Sequence, residues 1–214
     1  MGFLNSLFGK KEAPTRQLDH PTKLIKGDMI TLDDSFALPP QLKGQQLRVE
    51  AVHTYEYERS QNCEFLLRGH SGDAIFLTYV EEDDSYLSLS IKVNAAQVET
   101  LFDMAEFEQI FEEPGQAKLT TQPLADTLDD EFGKWLGEDY HQVEFAGFGY
   151  FHRQDYRGQK PPQDQQGEAF ESYSLVTGED SHAIDIEVYE GGETEVMLTL
   201  YRPLTDIRQY WPVS

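Results

Sequence analysis

The sequence predicts an α+β fold, mainly β, made of two similar antiparallel-sheet halves with short helices and a pseudo-twofold between them. Three observations predict it. Runs of alternating apolar and polar residues recur along the chain, which is the signature of half-buried strands. Beyond the short N-terminal head, helical spacing is confined to the middle. The pattern of residues 73–93 returns 107 positions later, half the length of a 214-residue chain.

The elements follow in order. Phe3, Leu4, Leu7 and Phe8 fall on one face of a short helix that Gly9 can stop. Two turns are too short to be stable alone, so this head needs something to bind. Residues 12–21, broken by Pro14 and Pro21, read as a linker, so 1–21 forms an amphipathic head and linker. Residues 22–115 form the first β-rich half. Leu24-Ile25 and Met29–Leu32 read as strands around the Gly27-Asp28 turn. Leu47–Tyr57 alternates over a long run. Phe65–Leu67, Ile75–Val80 and Tyr86–Val93 follow, the last two joined by an acidic hairpin. Asn94 can cap a helix running to Phe111, which Pro114-Gly115 ends. Residues 116–140 read as an acidic helical connector. Residues 141–214 form the second β-rich half, with strands at Val143–Phe151, Phe170–Val176, Ala183–Tyr189 and Glu195–Tyr201.

The repeat rests on register. A shift of 107 places Leu77 on Ile184, Leu89 on Val196, Ile91 on Leu198 and Val93 on Leu200. Upstream, residues 53–59 resemble residues 151–157 at a shift of 98, and the polar loop 158–166 can absorb the difference.

Composition narrows the function classes. Hydrophobic residues make up 39%, enough for a core. A chain of this size buries roughly 70% of the surface its unfolded form exposes. No apolar run approaches the roughly 20 residues of a membrane-spanning helix. The start lacks the long apolar stretch of a secretory signal, so a cytoplasmic location is expected. One cysteine, Cys63, excludes an internal disulfide framework and a multi-cysteine zinc site. The formal charge of −22 argues against nucleic-acid binding, which needs a basic footprint. That charge is uneven. Residues 1–26 carry a balance of +3, which leaves −25 on the rest. Tail and body are therefore expected to meet different surroundings.

Several motifs together carry a resemblance. They are the head ending Leu7-Phe8-Gly9-Lys10-Lys11, the Gly27-Asp28 strand start, the acidic Glu82-Asp83-Asp84 hairpin and the Tyr173-Ser174-Leu175 strand. The chain resembles an uncharacterised bacterial group, the YjfK-like proteins, and a related domain of unknown function. Asp83-Asp84-Ser85-Tyr86-Leu87 matches the group's acidic-aromatic pattern incompletely. The resemblance implies no catalytic residues. It implies an accessory role near the inner membrane, beside a membrane-stress protein.

The candidate sites are few. Phe3, Leu4, Leu7, Phe8, Lys10 and Lys11 could touch an anionic membrane or a protein partner. Glu81, Glu82, Asp83 and Asp84 offer carboxylates to a divalent cation, although they lack the staggered spacing of a calcium loop and also read as a solvated turn. His53 and His152 occupy near-equivalent positions of the repeat, where a pair could meet between the halves. Cys63 has no basic helix start beside it to activate it. Gly147-Phe148-Gly149-Tyr150 suggests close packing on a strand. Tyr150, Phe151, Tyr156, Phe170, Tyr173, Tyr189, Tyr201, Tyr210 and Trp211 crowd the second half, and any left beside acids would suit a cation such as a polyamine.

The sequence therefore leads to a non-enzymatic, acidic accessory or adaptor protein with a basic or membrane-associated protein partner. No cofactor and no catalytic or metal constellation is expected. Two alternatives remain: a binding module for a small cation or divalent metal between the halves, and a nucleic-acid mimic.

Overall fold

The computed structural model describes residues 16–82, 84–162, 167–179 and 181–213. The first half supplies β1 (Met29–Leu32), β2 (Gln46–Tyr57), β3 (Gln61–Arg68), β4 (Ala74–Val80) and β5 (Tyr86–Val93). The middle supplies α1 (Ala95–Leu101), α2 (Met104–Glu108), β6 (Lys118–Thr120) and α3 (Asp126–Phe132). The second half supplies β7 (Asp139–His152), β8 (Glu168–Thr177), β9 (His182–Tyr189), β10 (Thr194–Pro203) and β11 (Ile207–Trp211). The fold is thus the expected α+β, mainly antiparallel β with short helices.

Local chemistry explains where the elements differ from expectation. Leu24-Ile25 is not a strand; a 3-10 turn, Pro21–Lys23, precedes it. The helix expected from Asn94 to Phe111 is broken. Asn94 caps α1 through a capping box with Gln97. Asp103 then accepts from the backbone N–H groups of Ala105 (2.8 Å) and Glu106 (3.3 Å), which stops one helix and starts another. The connector is helical only at α3; it also holds β6 and the start of β7. The expected linker is anchored from Arg16 onward. Arg16 pairs with the fully buried Asp28, and Leu18 packs on the core.

The sheet closes on itself. Its order is β11-β1-β2-β3-β4-β5-β10-β9-β8-β7-β6, and β2 also pairs with β7. That pairing joins β2, β3, β4, β5, β10, β9, β8 and β7 into an eight-stranded antiparallel barrel. Each half contributes one four-stranded meander, and two seams join them. At one, Ile91 lies opposite Leu198; at the other, Thr54 lies opposite His152. The β2–β7 seam spans only Thr54–Tyr57 against Gly149–His152. Beyond it the two strands part, and the freed edges are taken up by β1 on β2 and by β6 on β7.

Alternation sorts the side chains into two faces. Leu87, Leu89, Ile91 and Val93 of β5 face outward, beside Val196, Leu198 and Leu200 of β10. These belong to the main core with Val98 and Leu101 of α1, Phe107 of α2 and Phe132 of α3. The outward apolar face is therefore covered by the chain's own helices and arms; Leu89 and Leu198 have no exposed surface. Among the described residues no helix is long and apolar enough to cross a membrane. The inward positions are polar or aromatic, and they define the site.

Candidate binding site in the barrel lumen

The lumen is a cavity of about 210 Å3 lined from all eight barrel strands. Its walls are built by period-2 stripes: Tyr55 and Tyr57 on β2, Glu64 on β3, Thr78 on β4, Ser88 and Ser90 on β5, Asp185 and Glu187 on β9. No Lys, Arg or His is among its lining residues.

Two carboxylates on β9 anchor it. Asp185 and Glu187 are next-but-one on a strand, so both point inward, roughly 7 Å apart along it. Asp185 Oδ1 accepts from the Ser174 hydroxyl at 2.7 Å, and Oδ2 from the Thr199 hydroxyl at 2.6 Å. Thr199 has one proton to give, so Ser90, 2.8 Å away, donates to it. Four strands thus hold one carboxylate. Burial still pushes the Asp185 carboxyl above the usual range, against the pull of those hydroxyls.

Glu187 is more strongly perturbed. Its Oε2 accepts from the Tyr189 hydroxyl at 2.5 Å and from the Tyr55 hydroxyl at 3.3 Å, the latter reaching across the lumen. Burial, with the nearby charge of Glu64, raises its carboxyl to about 7. The same burial and the same acids raise Tyr55, Tyr57 and Tyr189, which stay protonated donors. Glu144 sits exposed at the rim and is raised mainly by desolvation.

One end of the lumen is plugged by rings. Tyr55, Phe151 and Phe170 form a second buried cluster, with Tyr57 and Tyr189 packed against it. Tyr55 meets Phe170 edge to face at 5.6 Å. Phe170 also lies over Gly149 of β7. A Cβ at Gly149 would stand 2.6 Å from a Phe170 ring carbon, and one at Gly147 would stand 2.6 Å from the Ser172 hydroxyl. The glycines expected to allow close packing therefore admit side chains from the neighbouring strand over the β7 backbone.

The sequence-derived candidates are placed as follows. His53 and His152 do not form a pair between the halves. Register puts Thr54, not His53, opposite His152, so the two rings fall on opposite faces of the sheet. His53 lies inward, with Nδ1 3.1 Å from Glu64. His152 lies outward, with Nε2 3.2 Å from Glu56 and its ring against Tyr156. Glu81, Glu82 and Asp84 are exposed in the β4–β5 turn, and Asp83 lies outside the described residues. The head residues Phe3, Leu4, Leu7, Phe8, Lys10 and Lys11 also lie outside them. Burial raises the half-buried Cys63 thiol to about 12. Of the second-half aromatics, Phe170 and Tyr189 line or plug the lumen, whereas Trp211 stands exposed on β11.

Asp185, Glu187 and Glu64 were missed as a group by sequence reasoning. The signal was the stripe Asp185-x-Glu187-x-Tyr189, with only apolar residues between its members. No protein-family model, curated protein or solved structure matches the chain.

Proposed function

We propose that the barrel is a non-enzymatic binding module for a small organic cation, held in the lumen between the two halves. The observation that carries this reading is a cavity with Asp185, Glu187, Glu64 and Glu144 on its walls, tyrosine rings around them and no Lys, Arg or His among its lining residues. Of the four acids Glu64 meets His53 from outside that lining, at 3.1 Å, whereas Asp185 and Glu187 are held by hydroxyl groups. Buried carboxylates without a counter-charge are costly, and an ammonium group relieves that cost. The rings add cation–π attraction. Size limits the ligand, since 210 Å3 lies below the roughly 300–1,000 Å3 of pockets for drug-sized molecules. Among the described residues no three acidic, histidine or cysteine side chains come together to hold a metal ion, which favours an organic cation. The spacing of Asp185 and Glu187 suits a short diamine with a charge at each end. The pairing of Ile91 with Leu198 and of Thr54 with His152 supports a duplicated origin for the two halves that enclose it.

The test is a thermal-shift titration with 1,4-diaminobutane at pH 8, against sodium chloride of equal ionic strength. The diamine raises the melting temperature beyond the salt control, because a ligand that binds only the folded state stabilises it. Asp185→Asn combined with Glu187→Gln removes that excess. Equal shifts for diamine and salt would overturn the reading.

A further inference from the structure

We infer that the lumen is reached through the barrel end at the β4–β5 turn, and that the ring pair Tyr86–Tyr201 is the gate across that path. This rests on the binding reading above and adds the route and its control. Outside that end lies a depression of about 1140 Å3 that includes Glu82, Asp84, Val143 and Pro203. Tyr86 and Tyr201 line both this depression and the lumen, so they stand between the two. Their rings meet edge to face, with centroids 5.1 Å apart and planes at 64°. Tyr86 opens β5, and Tyr201 lies near the end of β10, opposite Ser88. Both rings are therefore carried near strand ends, Tyr86 directly after the β4–β5 turn and Tyr201 two residues before the end of β10.

The opposite end is a poorer entrance for a cation. It holds a smaller recess of about 190 Å3 behind the Tyr55 and Phe151 rings, and its walls carry Lys92 and Arg153, each paired with a glutamate, besides His53. Charge around the gate is also one-sided. Glu82 and Asp84 line the outer depression and Glu144 the lumen behind it, while Arg202 is engaged by Asp206 at 2.6 Å. A mouth lined by one sign of charge concentrates ligands of the opposite sign.

Cysteine labelling tests this without knowing the ligand. In a Cys63→Ser background, Ser88→Cys places a thiol behind the gate. Its reaction with a cationic ethyltrimethylammonium methanethiosulfonate is compared with that of the anionic ethylsulfonate reagent. Each rate is normalised to Ser71→Cys in the exposed β3–β4 turn. The cation reacts about tenfold faster than the anion at Ser88→Cys. Adding Tyr86→Ala raises the cation's rate several-fold, whereas Tyr86→Phe, which keeps the ring, leaves it nearly unchanged. Native Cys63, kept in a separate Tyr86→Ala chain, stays slow and so excludes general loosening. A rate indifferent to Tyr86→Ala would overturn the gate alone. A lack of cation preference in every variant would overturn the cation-binding reading and the gate's selectivity with it. A Cys63 that speeds up in step with Ser88→Cys would also overturn the gate, because loosening would then explain the labelling.

Discussion

Replacing Glu187 by Gln should make the protein more stable at pH 8 and change it little at pH 4.5. The carboxyl holds its proton up to about 7 in the fold, against an ordinary 4.5 in the unfolded chain. At 1.36 kcal/mol for each tenfold change in proton affinity, the ionised form costs about 3 kcal/mol. The sign follows from which state gives up its proton first. Below pH 4.5 both states are protonated and Glu187 exacts no cost. Between 4.5 and 7 the unfolded chain ionises while the folded one does not, so stability falls as pH rises. Above 7 the cost is complete. Glutamine keeps an oxygen for the Tyr55 and Tyr189 hydroxyls and carries no charge, so the cost disappears. Urea unfolding followed by fluorescence reads this out, because Trp135 is fully buried. The difference between variant and native chain should grow from within about 1 kcal/mol at pH 4.5 to about 3 kcal/mol at pH 8. A difference that stays flat across this range, or a variant less stable throughout, would refute the argument that burial rather than hydrogen bonding governs this side chain.

Three further outcomes are expected. Asp28 is fully buried and accepts from Arg16 and from the backbone N–H groups of Ile25 and Val213; Asp28→Ala strands these donors and should cost about 3–5 kcal/mol in urea unfolding. Gly149→Ala drives a methyl into the Phe170 ring and toward the Glu56 carbonyl, and should lower stability by about 1–3 kcal/mol by calorimetry. Ala146 holds a φ of 50° at the bulge in β7, so Ala146→Gly should raise stability by about 1 kcal/mol.

Most strands were legible because their signal is local. The alternation in Leu47–Tyr57 and in Tyr86–Val93 can be read residue by residue, and strands form there, at Gln46–Tyr57 and Tyr86–Val93. β6 and β11 were missed. They are three and five residues long and exist because β7 and β1 offer them an edge. The break between α1 and α2 turns on Asp103, whose preference for capping outweighs the apolar periodicity running through it. The lumen was hidden for a different reason. Asp185, Glu187, Ser88 and Ser90 alternate with apolar residues, and in an open sheet such positions face water. Only the β2–β7 seam, between residues almost a hundred positions apart, turns that face inward. The same seam decides the fate of the histidines. An offset of one residue places His53 inside and His152 outside, and no pattern within either segment records it.

The account stands on a cation entering the lumen beside Glu187. The most direct measurement is calorimetric titration with 1,4-diaminobutane at pH 6, repeated in buffers of different ionisation enthalpy. At pH 6 the diamine carries both of its charges and Glu187 is mostly protonated. A cation bound beside it must drive the carboxyl proton off. The account predicts an apparent enthalpy that varies with the buffer and corresponds to close to one proton released per diamine, with the release abolished by Glu187→Gln. Binding with no buffer dependence, or with the same dependence in Glu187→Gln, would contradict it.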